Sequence, residues 1–219
     1  MLKLVINNTQ PQSKQPFLQS GEGVGAKNSF FVNFRPLSQS LYAVSAYDLG
    51  HGLACEMNIE IKESYVYSQE NGEDCNYLVP MALCNFPSID TQRLNEKVCW
   101  DEYLQGSLMI QFQLKILEQI LLFCEGKEAT HLTLTLNAHN DDYLEVYRPF
   151  ALSKEHITTT KDDQIEILMS TDTQTYDNVV DSIEEFDSDF QKNLMATSKN
   201  QPHYATVYHG LFCSSAALR

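Results

Sequence analysis

The sequence has no long apolar segment and no recognisable targeting signal. Its longest wholly apolar stretch within the most hydrophobic part of the chain is residues 120–124, whereas a helix that crosses a membrane needs about 20 apolar residues. At the amino terminus no positively charged region precedes a long apolar run, so we expect neither a signal peptide nor a transit peptide. These features predict a soluble, cytoplasmic protein without a membrane partner.

The six cysteines are dispersed along the chain, and no two of them form a Cys-x-x-Cys pair. Few, scattered thiols are typical of a reducing compartment rather than of a disulfide framework. His51 and Cys55 are four residues apart, but they fall in a turn and a strand, where this spacing does not converge on one metal ion. We therefore expect no metal site. No nucleophile elbow surrounds a Ser or Cys, so nothing favours a Cys and His hydrolase above background.

Basic residues are also scarce, since 15 Lys and Arg stand against 29 Asp and Glu and give a formal charge of -14. Binding to phosphate backbones depends on Lys and Arg, so this charge opposes general binding of nucleic acids or anionic membranes. Hydrophobic residues nevertheless make up 43% of the chain. That content is enough to close the core of one large domain, or of one domain with an appendage.

Much of the negative charge is regional, because ten acidic residues and no Lys or Arg lie between Asp162 and Gln191. The spacing of Val179, Ile183 and Phe186 within this run predicts a short amphipathic helix. Such a charged run is either a solvated face or an interaction segment. We assign residues 171–219 to an acidic carboxy-terminal extension of a domain that spans residues 1–170.

Alternation of apolar and polar residues predicts several strands. It is clearest at 53–62, where Leu53, Cys55 and Met57 alternate with polar neighbours. Residue 80 is a proline, which would confine a strand at 77–84 to an edge or a bulge. Other segments predicted as strands are 1–9, 29–34, 41–47, 131–136, 165–169 and 204–208, with a turn at 48–52.

One segment changes period and predicts a helix. Residues 107–123 are so rich in apolar side chains that only a narrow face can meet water, which indicates a buried helix. Ser107 is the expected N-cap, and Gly126 is the expected left-handed stop. A second, short helix should end at Tyr147, because Pro149 cannot continue it.

The order of elements over residues 98–170 resembles the GNAT superfamily of acetyl-CoA-dependent N-acetyltransferases. The strongest local match is segment 132–150, LTLTLNAHNDDYLEVYRPF, which is similar to the family's strand, Asn and Tyr seven residues later. Segment 102–108, EYLQGSL, resembles the stretch that opens the family's pyrophosphate-binding loop. The resemblance implies an α+β fold with a mixed, mostly antiparallel sheet and flanking helices, and transfer of an acyl group from acetyl-CoA to a primary amine.

The resemblance also implies which residues would bind the cofactor. The turn and helix start would present main-chain groups of Gln105, Gly106, Ser107 and Leu108 to the diphosphate of the cofactor. Asn140 would position the cofactor or cap the short helix that follows it.

Tyr147 would be the general acid that protonates the leaving thiolate of CoA. A carboxylate must take the proton from the attacking amine, and Glu56, Glu60 and Glu102 are the candidates, since they lie on or beside predicted strands. A negative surface would attract cationic acceptors such as polyamines, amino sugars or lysine side chains of proteins.

Two alternatives stay open at this point. Tyr103 and Leu108 occupy outer positions of the loop motif at which the family has other residues. The chain could therefore be a catalytically silent GNAT-like fold, or another α+β module, that binds a protein partner or a second copy through its acidic extension. A third hypothesis is that the acidic face imitates nucleic acid and occupies a basic protein surface.

Overall fold

Seven strands and three α-helices form the part of the chain that the structure, a computed structural model, describes: residues 30–49, 51–70, 73–86, 89–90, 102–137 and 141–198. The elements in chain order are β1 Phe30–Pro36, β2 Leu41–Asp48, β3 Leu53–Glu70, β4 Glu73–Asn85, α1 Glu102–Gly126, β5 His131–Asn137, α2 Asp141–Tyr147, β6 Ile157–Thr159, β7 Gln164–Ser170 and α3 Thr173–Ser198. Two 3-10 turns, Arg148–Phe150 and Lys154–His156, connect α2 to β6. The expected mixed α+β class is confirmed.

All seven strands belong to one sheet, in the order β1-β2-β3-β4-β5-β7-β6. Neighbouring strands are antiparallel, except that β4 and β5 run parallel to each other. A parallel pair needs a long crossover, and α1 lies on that connection. The mostly antiparallel, mixed sheet expected from the sequence is therefore present.

One face of the sheet, called here the helix face, packs against the helices. Alternation places Cys55, Met57 and Ile59 on this face, and they belong to the same buried cluster as residues of α1, α2 and α3. The intervening side chains Glu56 and Asn58 are exposed on the other side, called here the far face. The alternation of apolar and polar residues in the sequence therefore corresponds to the two faces of the sheet.

Helix α1 is the central buried element, as expected, but it begins earlier than the sequence indicated. Its first residue is Glu102, so the prediction that Ser107 is the N-cap is wrong, and Ser107 lies in the second turn. Residues 106–126 are long and apolar enough to pass a length and composition test for a membrane span. More than half of that window is buried inside the fold, which is the behaviour of a core helix.

The end of α1 also differs from the sequence-based expectation. Gly126 is the last helical residue, and the left-handed conformation occurs two positions later, at Glu128 with φ 57°. Two amides that follow the helix, those of Lys127 and Ala129, donate to the Cys124 carbonyl oxygen at 3.0 Å. The chain thus turns into β5 through a non-glycine residue, which costs conformational energy.

Strands β3 and β4 are much longer than predicted and form a hairpin that extends beyond β5. Pro80 lies within β4, an interior strand, yet its carbonyl oxygen accepts from the Thr130 amide at 2.9 Å. Its nitrogen faces the same side, just before β5 begins at His131. Since the ladder on that side starts one residue later, the missing N–H of proline removes no strand hydrogen bond.

Helix α3 contains the amphipathic segment expected in the acidic run, and it is longer than expected. It packs against α1, with Val179 fully buried in the main core. Tyr176 donates from its hydroxyl to the Glu118 carboxylate at 3.3 Å, and the Gln111 amide donates to Asp187. The apolar side of α3 is therefore part of the core packing. The strands expected at 1–9 and 204–208 lie outside the described residues.

Candidate functional site

The end of β4, beside β5, lies next to Tyr147, the residue expected to be the general acid. The parallel register runs from Met81 opposite His131 to Asn85 opposite Thr135. The Phe86 amide then donates to the Thr135 carbonyl oxygen at 3.0 Å. The two strands therefore remain hydrogen-bonded through the last residue of β4 and one residue beyond it.

On its other side, the end of β4 shifts register against β3. Asn85 pairs with Asn58, and further along Asp90 pairs with Ala54. Three residues separate the two paired positions on the β3 side, whereas four separate them on the β4 side. The pairing register therefore shifts by one residue between these two positions, and irregular pairing of this kind often lies next to active sites.

Tyr147, the candidate general acid, lies beside this strand end. Its ring contacts the Phe86 ring edge-on, with centroids 5.4 Å apart. Tyr147 is the last residue of α2 and is fully buried in the main core. The side chain of Tyr147 is therefore closed off from solvent.

The residues expected to bind the diphosphate lie on α1. Because α1 begins at Glu102, its unpaired backbone N–H groups are those of its first turn, 102–105. Gly106, Ser107 and Leu108 follow in the second turn, where helical N–H groups bond to carbonyl groups four residues earlier. Of the four expected contacts, Gln105 alone has its N–H at the helix start.

Two of the residues after Gln105 also have buried side chains. Leu108 is 3% exposed and belongs to the main core, and Ser107 is also buried. A Cβ atom added at Gly106 would meet no atom within 4 Å. Gly106 is therefore not required for helix packing, and space beside it is open.

The three candidate bases do not lie together. Glu56 and Glu60 alternate with the buried residues Cys55, Met57 and Ile59, so both project from the far face, opposite Tyr147. Glu60 also forms an exposed ion pair with Lys62 at 3.2 Å. The alternation in the sequence already carried this information.

Glu102 is on the helix side of the sheet, because it is the first residue of α1. Asn140, which was expected to position the cofactor, lies outside the described residues. The structure thus places Tyr147 and the start of α1 on one side of the sheet, and Glu56 and Glu60 on the other.

One polar pair was not singled out from the sequence. The Nδ1 atom of His51 lies 2.7 Å from a carboxylate oxygen of Asp48, and both side chains are mostly buried. A carboxylate oxygen accepts, so Nδ1–H of His51 donates to it. Gly52, with φ 74°, closes this β2–β3 turn. An Asp three residues before a His in a predicted turn was the available signal.

The buried cysteines favour neither metal binding nor nucleophilic chemistry. Burial, and then the nearby Glu56 charge, raises the pKa of Cys55 to about 12, and burial raises the pKa of Cys124 to about 12. Burial also raises the pKa of Cys84, with contributions from the other two thiols. Since the thiolate is the reactive form, these groups act as small apolar side chains. Within the described ranges, no three His, Cys, Asp or Glu side chains gather as metal ligands.

Comparison with known proteins adds no relative. No protein-family model matches the sequence, and no curated protein matches it. Interpretation of the site therefore depends on its geometry.

Proposed function

We propose that the chain is a GNAT-like, acyl-CoA-dependent N-acyltransferase that acts on a cationic primary amine where β4 and β5 end. The observation that carries this proposal is the register shift between Asn85 and Asp90, beside the parallel strand pair. Irregular pairing of this kind often lies next to active sites, and Phe86, at the start of this segment, contacts the ring of Tyr147. The strand order and the crossover helix are consistent with the same family resemblance.

In the proposed reaction one side chain donates a proton and another accepts one. The cationic acceptor first loses one proton to solvent; the neutral amine nitrogen then attacks the thioester carbon, the C–S bond breaks, and the Tyr147 hydroxyl protonates the leaving thiolate. A carboxylate accepts the amine proton, and Glu102 suits this role better than Glu56 or Glu60, because they project from the far face. The Phe86 ring must move aside to let CoA reach Tyr147, since the two rings are in contact.

Helix α3 carries exposed negative charge. Asp177, Asp181, Glu184 and Glu185 are exposed along it. Negative potential raises the encounter rate of cationic molecules. Polyamines, amino sugars and protein lysines are therefore the acceptor classes to assay.

Calorimetric titration of the full chain with acetyl-CoA and with CoA tests the proposal. Gly106→Ala is the sharpest variant, because alanine should raise helix stability while its Cβ would occupy the open space beside residue 106, where the proposed cofactor would lie. The matched control is Gly126→Ala, at the other end of the same helix and equally open. Loss of binding in Gly106→Ala alone, together with loss of turnover in a folded Tyr147→Phe variant, is the expected result. Absence of binding at millimolar concentrations contradicts the proposal.

A second candidate function is a catalytically silent module that binds a protein partner or a second copy of itself. Two observations favour it. Strands β4 and β5 stay hydrogen-bonded past the end of β4, where the Phe86 N–H donates to the Thr135 carbonyl, and Tyr147 is fully buried. A folded protein that binds no CoA, and whose sedimentation depends on its concentration, would favour this function over the enzyme.

A further inference from the structure

The outer part of β3 extends beyond the strand that pairs with it on one side. Strand β3 continues to Glu70, whereas its pairing with β2 ends where Leu41 lies opposite Glu60. Past that point, β4 is the one described strand that pairs with β3, in a regular register. We call residues 61–67 of β3 the free edge. A strand edge of this kind can pair with another chain.

The hydrogen bonds of β4 show where the backbone groups of Glu63 point. Pro80 lies opposite Glu63 in the β3–β4 register. The Pro80 carbonyl oxygen accepts from the Thr130 amide, on the side of β4 that faces β5. Opposite residues of an antiparallel pair either bond to each other or both turn away, so the N–H and C=O groups of Glu63 point to the free edge. Because this direction alternates along a strand, every odd-numbered residue of the free edge shares it.

Two further hydrogen bonds mark the ends of the free edge. At one end the Ile61 N–H donates at 2.7 Å to the carbonyl of the residue before β2, and at the other the Tyr67 carbonyl accepts from His156 Nε2–H at 2.9 Å. Between them, the N–H and C=O groups of Glu63 and Tyr65 bond to no residue that the structure describes. Two donors and two acceptors in one row are the pattern that an added β-strand satisfies.

The side chains along the free edge are acidic and aromatic. Glu63, Tyr65 and Tyr67, called here the edge row, lie on one face of β3 because they are spaced by two residues. All three are exposed, and Tyr65 is exposed to 71%. Leu78 lies opposite Tyr65 and is 49% exposed on the same face. The edge row therefore presents one carboxylate and two phenol rings to an incoming strand.

The charge of this part of the hairpin favours a cationic occupant. Residues 63–80 include four Asp and Glu and no Lys, Arg or His. A carboxylate attracts Lys and Arg, and a tyrosine ring binds the same cations over its face. The fold already contains one such contact, because the Lys127 ammonium lies 4.7 Å from the centre of the Tyr42 ring. Pairing with a second copy would bring two acidic hairpins side by side, and like charges on neighbouring strands are destabilising.

The opposite face of the free edge restricts where those cations can lie. Lys62 and Ser64 alternate with the edge row and therefore lie on the other face of β3. The Lys62 ammonium pairs with the Glu60 carboxylate at 3.2 Å, so a second cation beside it would meet a like charge. A fitting segment therefore carries Lys or Arg at every second residue, with uncharged residues between them.

We propose that the free edge binds an extended cationic segment of another protein by β-strand addition. The backbone of the segment would bond to the N–H and C=O groups of Glu63 and Tyr65, and its basic side chains would lie over the edge row. The proposal does not depend on acyl transfer, because Phe86 and Tyr147 lie past the other end of the β3–β4 register.

Titration of the full chain with blocked seven-residue peptides tests the proposal. The probe alternates lysine and valine, beginning and ending with lysine. One control peptide has glutamate in place of lysine. The other has methyl groups on all inner backbone nitrogens, which keeps the charge and removes the N–H donors. Fluorescence anisotropy of the labelled probe should show binding that weakens as salt is added, and neither control peptide should displace it.

Variants of the edge row test the side-chain contacts. Glu63→Gln and Tyr65→Ala should each weaken binding of the probe about two- to fivefold, the usual effect of one exposed ion pair or cation–π contact. Glu56→Gln is the matched control for charge, because Glu56 is exposed on the same strand where β2 covers the edge. Phe31→Ala is the control for an exposed ring on another strand. Both controls should bind the probe as the unchanged protein does.

Amide hydrogen exchange read by NMR locates the bound probe. In the protein alone, the amides of Glu63 and Tyr65 should exchange fast, whereas those of Ser64 and Val66, which face β4, should be protected. Addition of the probe should slow exchange of the first two amides and leave the amides of β1, residues 30–36, unchanged.

Several results would overturn the proposal. These are absence of binding at millimolar probe, equal binding of either control peptide, unchanged affinity in both edge-row variants, and protection that appears in β1 instead of β3. Slow exchange of the Glu63 and Tyr65 amides in the protein alone would show that the chain itself covers the free edge. If that protection rises with protein concentration, a second copy covers it, and both results contradict a cationic partner.

Discussion

Phe34 of β1 stacks face to face on Phe123 of α1, with ring centroids 4.3 Å apart and ring planes 2° from parallel. Tyr42 of β2 meets Phe123 edge-on at 4.9 Å, and the Lys127 ammonium lies over the Tyr42 ring at 4.7 Å. These aromatic contacts pack the carboxy-terminal half of α1 against β1 and β2, at one edge of the sheet. Offset and edge-on aromatic pairs add stability beyond the area that they bury.

Phe34→Ala is therefore expected to lower the free energy of unfolding by about 2–3 kcal/mol. This is below the roughly 3–5 kcal/mol typical of fully buried phenylalanine, because Phe34 is half-buried. Phe31→Ala is the control on the same strand, since Phe31 is 44% exposed on the far face, and it should cost less than about 1 kcal/mol. Urea unfolding measures both, and equal losses would contradict the role given to the stack.

Local periodicity predicted the elements of the fold better than their extent. The alternation through Leu53, Cys55 and Met57 identified β3 and its buried face, and the apolar run identified α1. The start of α1 was missed because serine is a favoured N-cap residue and Ser107 precedes the apolar run, whereas the helix begins five residues earlier, at Glu102. The full length of β3 and β4 was missed because their outer parts make contacts such as that between Tyr67 and His156, which are 89 residues apart and leave no local pattern.

The candidate site divides in the same way. The contact between Tyr147 and Phe86 could not be derived, because the two residues lie far apart in the sequence. The opposite orientation of Glu56 was available from its alternation with Cys55. The register shift before Asp90 could not be derived, because strand register depends on tertiary packing. The pairing of His51 with Asp48 had a local signal, their spacing within the predicted turn at 48–52.

The left-handed residue after α1 gives a second prediction. Glu128 has φ 57°, a conformation that costs a non-glycine residue about 1 kcal/mol. Glu128→Gly should therefore raise the free energy of unfolding by about 0.5–1 kcal/mol, and Gly126→Ala should raise it similarly for the opposite reason, because Gly126 is helical. Thermal unfolding of both variants measures the gain. A loss in Glu128→Gly would show that its side chain stabilises the turn.

The start of α3 gives a prediction that depends on pH. Asp172 precedes the helix, and its carboxylate accepts from the Thr175 amide at 2.8 Å. This bond lowers the pKa of Asp172 below 3.8, so its contribution is present above that value and is lost as the pH falls through the folded pKa. Asp172→Ala should cost about 1 kcal/mol at pH 7 and progressively less below pH 4.

Asp172→Asn is the matched control, because Asn also caps helices but carries no charge. It should cost less than Asp172→Ala at pH 7, and its difference from the unchanged protein should vanish in acid. Urea unfolding at a series of pH values measures both variants. A cost of Asp172→Ala that does not change with pH would contradict the assignment of the charge to the cap.

The last prediction concerns Gln113, which is 1% exposed on α1. Its side-chain oxygen has no hydrogen-bond partner among the residues that the structure describes, and a buried polar atom in that condition costs about 1–3 kcal/mol. Gln113→Met keeps the length of the side chain and removes the polar atom, so it should raise the free energy of unfolding by about 1 kcal/mol. Gln111→Met on the same helix should have the opposite effect, because the Gln111 amide bonds to Asp187. If Gln113→Met instead destabilises the protein, the oxygen has a partner in solution. If it stabilises the protein but abolishes acetyl-CoA binding, the Gln113 oxygen accepts a hydrogen bond from the ligand. The unliganded protein is then less stable because this oxygen has no donor until the ligand binds.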